Sequence, residues 1–218
     1  MNSWIWSRNW SDLMKWKKII PFCLAAGLCV GAGIRIWAVN YNRPEVETVI
    51  YPMGEVVDLG DDYFYNPNDK CSDYDIKVLS AEVLPVDEYL EKYGLTREEV
   101  WGEDEVLATT VYEVTVWLRN NNTDMENDTQ NIDLVNMQLT TNRDIYQVDH
   151  ELLWALYPQL DQSTYAFRVA PGTETTVHLP YRDLKSMRLS IEEIKNRDTY
   201  LYLSMYPTKR MIEIHPDN

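Results

Sequence analysis

The longest apolar stretch of the chain lies near its N-terminus. Residues Ile19 to Ile34 carry no charged side chain, and Arg35 is followed by further apolar residues, so that the stretch covers 19–39. At a rise of about 1.5 Å per residue, a helix of this length spans about 30 Å, the thickness of the bilayer hydrocarbon core. The pattern therefore predicts one transmembrane helix over residues 19–39.

The residues that flank this stretch predict its orientation. Lys15, Lys17 and Lys18 precede it, and positively charged flanks favour the cytoplasmic side of a membrane. We therefore expect a cytoplasmic N-terminal segment at 1–18, a signal anchor at 19–39 and an extracellular C-terminal part in a single-pass protein of the cell membrane. A cleaved signal peptide is the alternative, although Ile36 before Ala38 matches a small-residue cleavage site poorly.

After a spacer at 40–47, the pattern changes to short runs rich in Val, Ile, Tyr and Thr that are separated by Gly, Pro, Asn and Asp. Val106 to Leu118 alternates most clearly, and alternation of this kind is typical of a β-strand with one face towards a core. The predicted strands are Val56–Leu59, Tyr74–Leu84, Val106–Leu118, Ile132–Thr140, Tyr165–Val169, Glu174–Leu179, Tyr200–Tyr206 and Met211–Ile214. Pro171 and Gly172 predict a turn, with Gly172 at positive φ.

Two short helices are expected between the strands. The segment Asp87 to Tyr93 precedes a second helix that begins at Thr96, where Glu99 three residues later completes a capping box. A further short helix or aromatic loop is expected at Leu152 to Tyr157. The fold class predicted for 48–218 is mainly β, an antiparallel β-sandwich with a short helical insertion, preceded by one transmembrane helix.

Four stretches carry a resemblance to a known group of proteins. They are YPMGEVVDLGDDYFY (51–65), YDIKVLSAEVLPVDEYLEKYG (74–94), VYEVTVWLRNNN (111–122) and VAPGTETTVHL (169–179). Together they resemble a family of exported or membrane-anchored bacterial domains of unknown function, of the Gram-positive type. The resemblance implies an immunoglobulin-like β-sandwich, and it implies no activity and no site residues.

The charge of the chain is unevenly distributed. The net charge is −15, but residues 1–18 carry +3, whereas residues 40–218 hold 15 Lys and Arg against 34 Asp and Glu, a net charge of −19. Nucleic-acid binding depends on neutralisation of phosphates by Lys and Arg. The acidic C-terminal part therefore argues against a nucleic-acid partner.

Catalytic motifs are missing from the sequence. His150, His178 and His215 are far apart and none follows a nucleophile motif, and we expect the side chain of His178 to face solvent. Cys71 is the only cysteine after the apolar stretch, which excludes a disulfide within this part of the chain. We therefore expect a protein that is not an enzyme and has no organic cofactor.

An acidic loop offers a candidate metal site. Asp124, Glu126 and Asp128 place three carboxylates at alternate positions, and Ca²⁺ prefers oxygen ligands of this kind. The loop lacks the glycine and the terminal glutamate of an EF-hand. Ca²⁺ binding at these residues is therefore a hypothesis beside the simpler interpretation of a solvated acidic loop.

Aromatic residues offer a candidate contact surface. Trp154, Tyr157 and Tyr165 could stack on a sugar ring or a peptide, and packing in the core is the alternative. The function predicted is a membrane-tethered extracytoplasmic binding or interaction module whose ligand is unknown. Its partners would be membrane lipid through 19–39 and a protein or an envelope polymer. The alternatives are an envelope-polymer hydrolase and an accessory subunit of a membrane complex.

Overall fold

The chain divides into two compact units, Met1–Glu45 and Val46–Asn218. The computed structural model describes residues 10–41, 45–67, 71–102, 109–123, 132–160, 166–182 and 189–217.

The first unit contains the long helix α1 (Trp10–Tyr41), which includes Pro21. Its segment Ile20–Tyr41 is long and apolar enough to cross a membrane, by length and composition. Large apolar side chains of this segment, such as Phe22 and Leu28, are exposed. Apolar surface in water is unfavourable, so this helix requires an apolar environment. It can be a membrane anchor or a signal sequence.

The second unit is mainly β and consists of two principal sheets with short helices between their strands. The strands are β1 (Glu47–Tyr51), β2 (Val57–Asp58), β3 (Tyr74–Pro85), β4 (Thr110–Asn120), β5 (Ile132–Asp133), β6 (Leu139–Thr140), β7 (Ile145–Tyr146), β8 (Ala166–Phe167), β9 (Glu174–Arg182), β10 (Thr199–Ser204) and β11 (Thr208–Ile214). The helices are α2 (Val86–Tyr93), α3 (Arg97–Trp101), α4 (His150–Leu156) and α5 (Ile191–Lys195), and Leu134–Asn136 forms a 3₁₀ turn.

The strand order defines the two sheets. One sheet has the order β1-β11-β10-β6-β7, and the other has the order β2-β3-β4-β9; β5 pairs with β8 separately. All pairs are antiparallel except β1 with β11, which is parallel. The first strand of the unit therefore lies beside the last strand.

The central strand β4 is buried on both faces. Val114, Val116 and Leu118 point into the principal core, where they pack with residues of the other sheet such as Leu201 and Ile212. The alternation of this strand therefore places one of its faces towards the core, as the sequence predicts. The opposite face, which includes Val111, lies in a second apolar cluster built mainly from the helices α2, α3 and α4. The helical insertion thus covers the outer face of the sheet.

Several local predictions are confirmed. Thr96 caps α3, and Thr96 and Glu99 exchange the two hydrogen bonds of a capping box. Gly172 has a φ of +69°, as the turn required. The same type of capping box, formed by Ser190 and Glu193, begins α5, a helix that the sequence analysis missed.

Other predictions were wrong in part. The alternating segment Ile132–Thr140 is not one strand, since the 3₁₀ turn separates β5 from β6. The spacer was expected to extend to residue 47, whereas Glu47 already begins β1. Here the parallel partner β11, from the other end of the chain, supplies the hydrogen bonds that make this short segment a strand.

Asn120, at the end of β4, holds the turn that precedes β9. Its side chain is fully buried; Nδ2 donates to the Val169 carbonyl at 2.9 Å, and Oδ1 accepts from the Asn122 N–H at 2.9 Å. Its backbone carbonyl accepts from the Gly172 N–H at 3.0 Å. Asn120 therefore bonds backbone groups of Asn122, Val169 and Gly172, the first two through its side chain and the third through its own carbonyl.

We predict that Asn120→Ala lowers the free energy of unfolding of the second unit by about 2 kcal/mol, since the buried Val169 carbonyl and the partly buried Asn122 N–H each lose a hydrogen bond. The matched control is Asn121→Ala, whose side chain is exposed and whose removal should cost less than about 0.5 kcal/mol. Denaturant unfolding of the full chain in micelles, followed by tryptophan fluorescence, measures both values. Equal losses for the two variants would contradict this role of Asn120.

Candidate functional site

Helix α4 lies beside the end of β9, and its capping residue fixes it there. Asp149 is the N-cap: its Oδ1 accepts from the Leu152 N–H at 2.9 Å, and its own N–H donates to the Pro180 carbonyl at 2.7 Å. Leu152 and Leu153 are fully buried and anchor the inner side of the helix. Trp154, one residue further on, is half-buried and faces a cleft.

This cleft has a volume of about 770 Å³, within the range of small-molecule sites. Residues 144–151 form much of its lining, and Tyr65, Gln138, Trp154 and Arg182 complete it. The lining belongs to β7, to α4 and to the end of β9. The Val148 backbone bridges to Tyr181 and thereby connects the two sheets at this edge.

The charges of the cleft are paired within it. Nε of Arg182 lies 2.7 Å from Oδ2 of Asp149, and its NH1 lies 3.3 Å from Oε2 of Glu151. The guanidinium also stacks on the Trp101 ring at 5.6 Å. At the other side, Arg197 donates to Asp144 at 2.6 Å.

The surroundings of Asp149 in this cleft shift the pKa of its carboxyl. Burial raises the pKa of its carboxyl, and the Leu152 N–H and the Arg182 charge only partly offset this effect. The side chain is 2% exposed. Asp149 is therefore committed to capping α4 and to holding Arg182.

The structure separates two of the predicted contact residues, Trp154 and Tyr157. Trp154 lines the cleft, with its ring 6.2 Å from that of His150. Tyr157 instead packs edge-on against Phe167 at 6.0 Å, and its hydroxyl accepts from the His178 N–H at 2.7 Å. Tyr165 lies outside the described residues. Arg182 and Asp149 in the cleft were not predicted, since no local motif marks them.

A second polar cluster lies under α2, on the outer face of β4. Glu113 is 1% exposed, and its carboxylate accepts from Tyr93 at 2.7 and 2.9 Å and from Lys92 at 2.9 Å. Nδ1 of His178 lies 3.2 Å from Oε1 of Glu113 and 3.2 Å from Oγ1 of Thr115. Lys92 also contacts Glu82.

The expected solvent-facing position of His178 is therefore wrong in part. Its side chain is 35% exposed, because α2 covers this end of the sheet and Tyr93 packs on the imidazole at 5.6 Å. The alternation of β9 places His178 on the outer face. The sequence of β9 alone does not indicate that a helix covers this face.

The pKa values in this cluster indicate a structural role. Burial alone would raise the pKa of Glu113, but hydrogen bonds from His178, Tyr93 and Lys92 outweigh it and hold the pKa at about 2. Burial alone would lower the pKa of Lys92, but its hydrogen bonds to Glu82 and Glu113 outweigh burial, so that the pKa lies above its usual value. A general base or an amine nucleophile needs a pKa nearer the working pH. The cluster therefore joins α2 to β4 and β9 through ion pairs and hydrogen bonds.

Metal ligation has no support within the described ranges. They contain no group of three or more His, Cys, Asp or Glu side chains that could hold an ion. Asp124, Glu126 and Asp128 lie outside these ranges, so Ca²⁺ binding at that loop stays a prediction.

Comparisons with known proteins bear on the second unit. The family model described as a domain of unknown function (DUF5028) matches residues 48–210. The crystal structure of an uncharacterized beta-sandwich protein from Clostridium difficile 630 is similar over 79% of this chain and 97% of its own, with 11% identity and a TM-score of 0.38. No curated protein matches the chain.

We predict that the second unit loses stability in acid through Glu113. Because the pKa of Glu113 is lowered from 4.5 to about 2 in the folded state, its contribution is present above pH 4.5 and is lost as the pH falls towards 2. The contribution is about 3 kcal/mol. Unfolding of the full chain in micelles, measured between about pH 7 and pH 2, should show this loss, and Glu113→Gln should remove it.

The matched control for this measurement is Glu82→Gln. Glu82 contacts the same lysine, but its side chain is 34% exposed, so its ion pair should contribute less than about 1 kcal/mol. A steep acid transition that survives in Glu113→Gln would contradict the assignment to Glu113.

Proposed function

Since the chain belongs to the DUF5028 family, whose description assigns no activity, we propose a function from the geometry: a membrane-tethered module that binds a ligand in the cleft beside α4. The cleft carries this proposal. It combines a volume suited to a small ligand or a polymer segment with a half-buried Trp154 and fixed polar groups.

The tether is the apolar segment of α1. Its length supports a single membrane crossing, and Lys15, Lys17 and Lys18 before it support a cytoplasmic N-terminus with the second unit outside the cell. The charge of −19 on residues 40–218 supports a hydrated, surface-facing domain. In this arrangement residues 1–18 are inside the cell, and the cleft is accessible to extracellular ligands.

Binding without catalysis fits the side chains of the cleft. Asp149 and Glu151 both pair with Arg182, and Asp144 pairs with Arg197. Carboxylates that are held in ion pairs with arginine do not readily exchange protons with a substrate. The proposal therefore assigns recognition to the cleft and no reaction.

We propose further that the sandwich is immunoglobulin-like. The orders β3-β4-β9 and β6-β10-β11 support this, since they correspond to the strand orders A-B-E and C-F-G of immunoglobulin domains. In this correspondence β1 and β2 are additions, and α2 with α3 form an insertion between strands A and B. Ligand-binding loops at the end of such a sandwich are a common use of the fold.

Ligand binding is tested with the full chain in lipid nanodiscs, labelled with 5-fluorotryptophan. We expect at least one class of a fragment library of neutral sugars, amines, carboxylates and short peptides to shift the ¹⁹F resonance of Trp154, assigned with Trp154→Phe. The matched reporter is Trp117, half-buried on the outer face of β4 between Lys77 and Arg119, which should not shift. If no class moves Trp154 selectively, the cleft is not a binding site.

Topology is tested with a membrane-impermeant maleimide on intact cells, in a Cys71→Ala background. We expect Glu98→Cys, at an exposed position of α3, to be labelled, and Ser3→Cys to be labelled only after lysis. Cys23 and Cys29 lie in the apolar segment, away from a polar reagent. The reverse pattern, or release of the second unit from the membrane fraction, would contradict the tether.

A further inference from the structure

The charges that line the cleft beside α4 restrict its ligand. Three carboxylates, of Asp144, Asp149 and Glu151, line the cleft together with the guanidinium group of Arg182. Arg182 pairs with Asp149 and Glu151, and Arg197, which is outside the lining, pairs with Asp144. A cationic ligand would compete with Arg182 and Arg197 for these carboxylates. An anionic ligand would meet an excess of carboxylates in a domain that is itself acidic. The electrostatics therefore favour a ligand without net charge.

The aromatic residues restrict the ligand further. Trp154 is half-buried in the wall, and Tyr65 is 68% exposed, so both offer ring surface to an occupant. Aromatic rings contribute apolar contact area to a ligand that has a flat apolar face. A purely apolar ligand would cover the polar groups between the rings without offering them hydrogen bonds, and the resulting desolvation penalty would weaken its binding.

Hydrogen-bonding groups complete the lining. Gln138, which is buried, and Gln147, which is exposed, belong to the lining, and a glutamine amide has two donor hydrogens and an acceptor oxygen. Glu151 is exposed and its carboxylate has acceptor capacity beyond its contact with Arg182. Groups of this kind match hydroxyls, each of which donates once and accepts. A pyranose ring has a flat C–H face and a rim of hydroxyls, and it satisfies the aromatic and the polar groups together.

From this juxtaposition we infer that the cleft beside α4 binds a neutral saccharide, with one sugar ring stacked on Trp154 and its hydroxyls bonded to the amide and carboxylate groups around it. The inference rests on the proposed binding function and names the ligand class. The volume of about 770 Å³ accommodates a segment of a few sugar units, as in an oligosaccharide or one end of a polysaccharide.

The test uses the full chain in nanodiscs, free of sugar-based detergent, and isothermal titration with three neutral hexasaccharides. These are the β-1,4-linked hexamers of glucose and of N-acetylglucosamine and the α-1,4-linked hexamer of glucose, and hexagalacturonate is the anionic comparison. We expect a dissociation constant below about 1 mM for at least one neutral hexamer and at least about ten-fold weaker binding of hexagalacturonate.

Substitutions locate the binding in the cleft. Trp154→Ala should weaken it at least about ten-fold, and Trp117→Ala, on another face, should change it less than about two-fold. Tyr65→Ala removes an exposed ring without opening the core, so it provides a second variant should Trp154→Ala unfold. Equal weakening by Trp154→Ala and Trp117→Ala would overturn the inference, as would the absence of heat with every neutral hexamer up to about 10 mM.

The failure of this inference differs from the failure of the proposed function. If amines or peptides shift the fluorine resonance of Trp154 while the hexasaccharides do not, the cleft binds another class of ligand and only the saccharide assignment is lost. If no class shifts this resonance, the cleft is not a binding site and both statements are wrong.

Discussion

The second unit depends on the burial of one strand, β4, on both of its faces. A strand in a two-layer sandwich normally exposes one face to water. Here Val114 and Val116 fill the core between the sheets, while Val111 and Glu113 need cover on the other side. The insertion between β3 and β4 supplies this cover, and α4 extends it. The cleft exists because α4 lies on this outer layer, next to the end of β9.

Two groups of charges on this layer serve different ends. The carboxylate of Glu113 is removed from water and is stabilised by His178 of β9 and by Lys92 and Tyr93 of α2. The side chains of Arg182 and Asp149 are also largely buried, and Glu151, at 45% exposed, is the member of this group that water reaches. The first arrangement fixes α2 on a sheet. The second fixes α4 beside β9 and leaves the carboxylate of Glu151 able to accept hydrogen bonds from an occupant of the recess.

Most strands could be predicted from the sequence because their alternation is long or their turn residues are distinctive. β4 is the best example, and the capping box at Thr96 is as reliable, since both signals are local. β1 could not be predicted, because its hydrogen bonds come from the other end of the chain. Ser190 and Glu193 carry the same local capping signal at the start of α5, so this helix was also predictable from the sequence.

The candidate site was harder to predict than the fold. Trp154 was identified as an aromatic contact residue, but its neighbours in the cleft come from β7 and from Arg182, which tertiary packing brings together. Tyr157 was grouped with Trp154 by proximity in sequence, yet the end of α4 turns it towards His178. Glu113 offered a signal, since a lone carboxylate inside an apolar strand needs partners. The identity of those partners follows from α2, which no local pattern connects to β4.

The parallel pairing of β1 with β11 has a mechanical consequence. A pulling force applied to β1 along its own axis would act lengthwise on this pairing. Five residue pairs, from Glu47 with Thr208 to Tyr51 with Ile212, then bear the load at the same time in shear, and are not opened one after another. Strands loaded in this direction must lose several hydrogen bonds in one step before they slide. A force in that direction is therefore resisted by the whole β1–β11 ladder together.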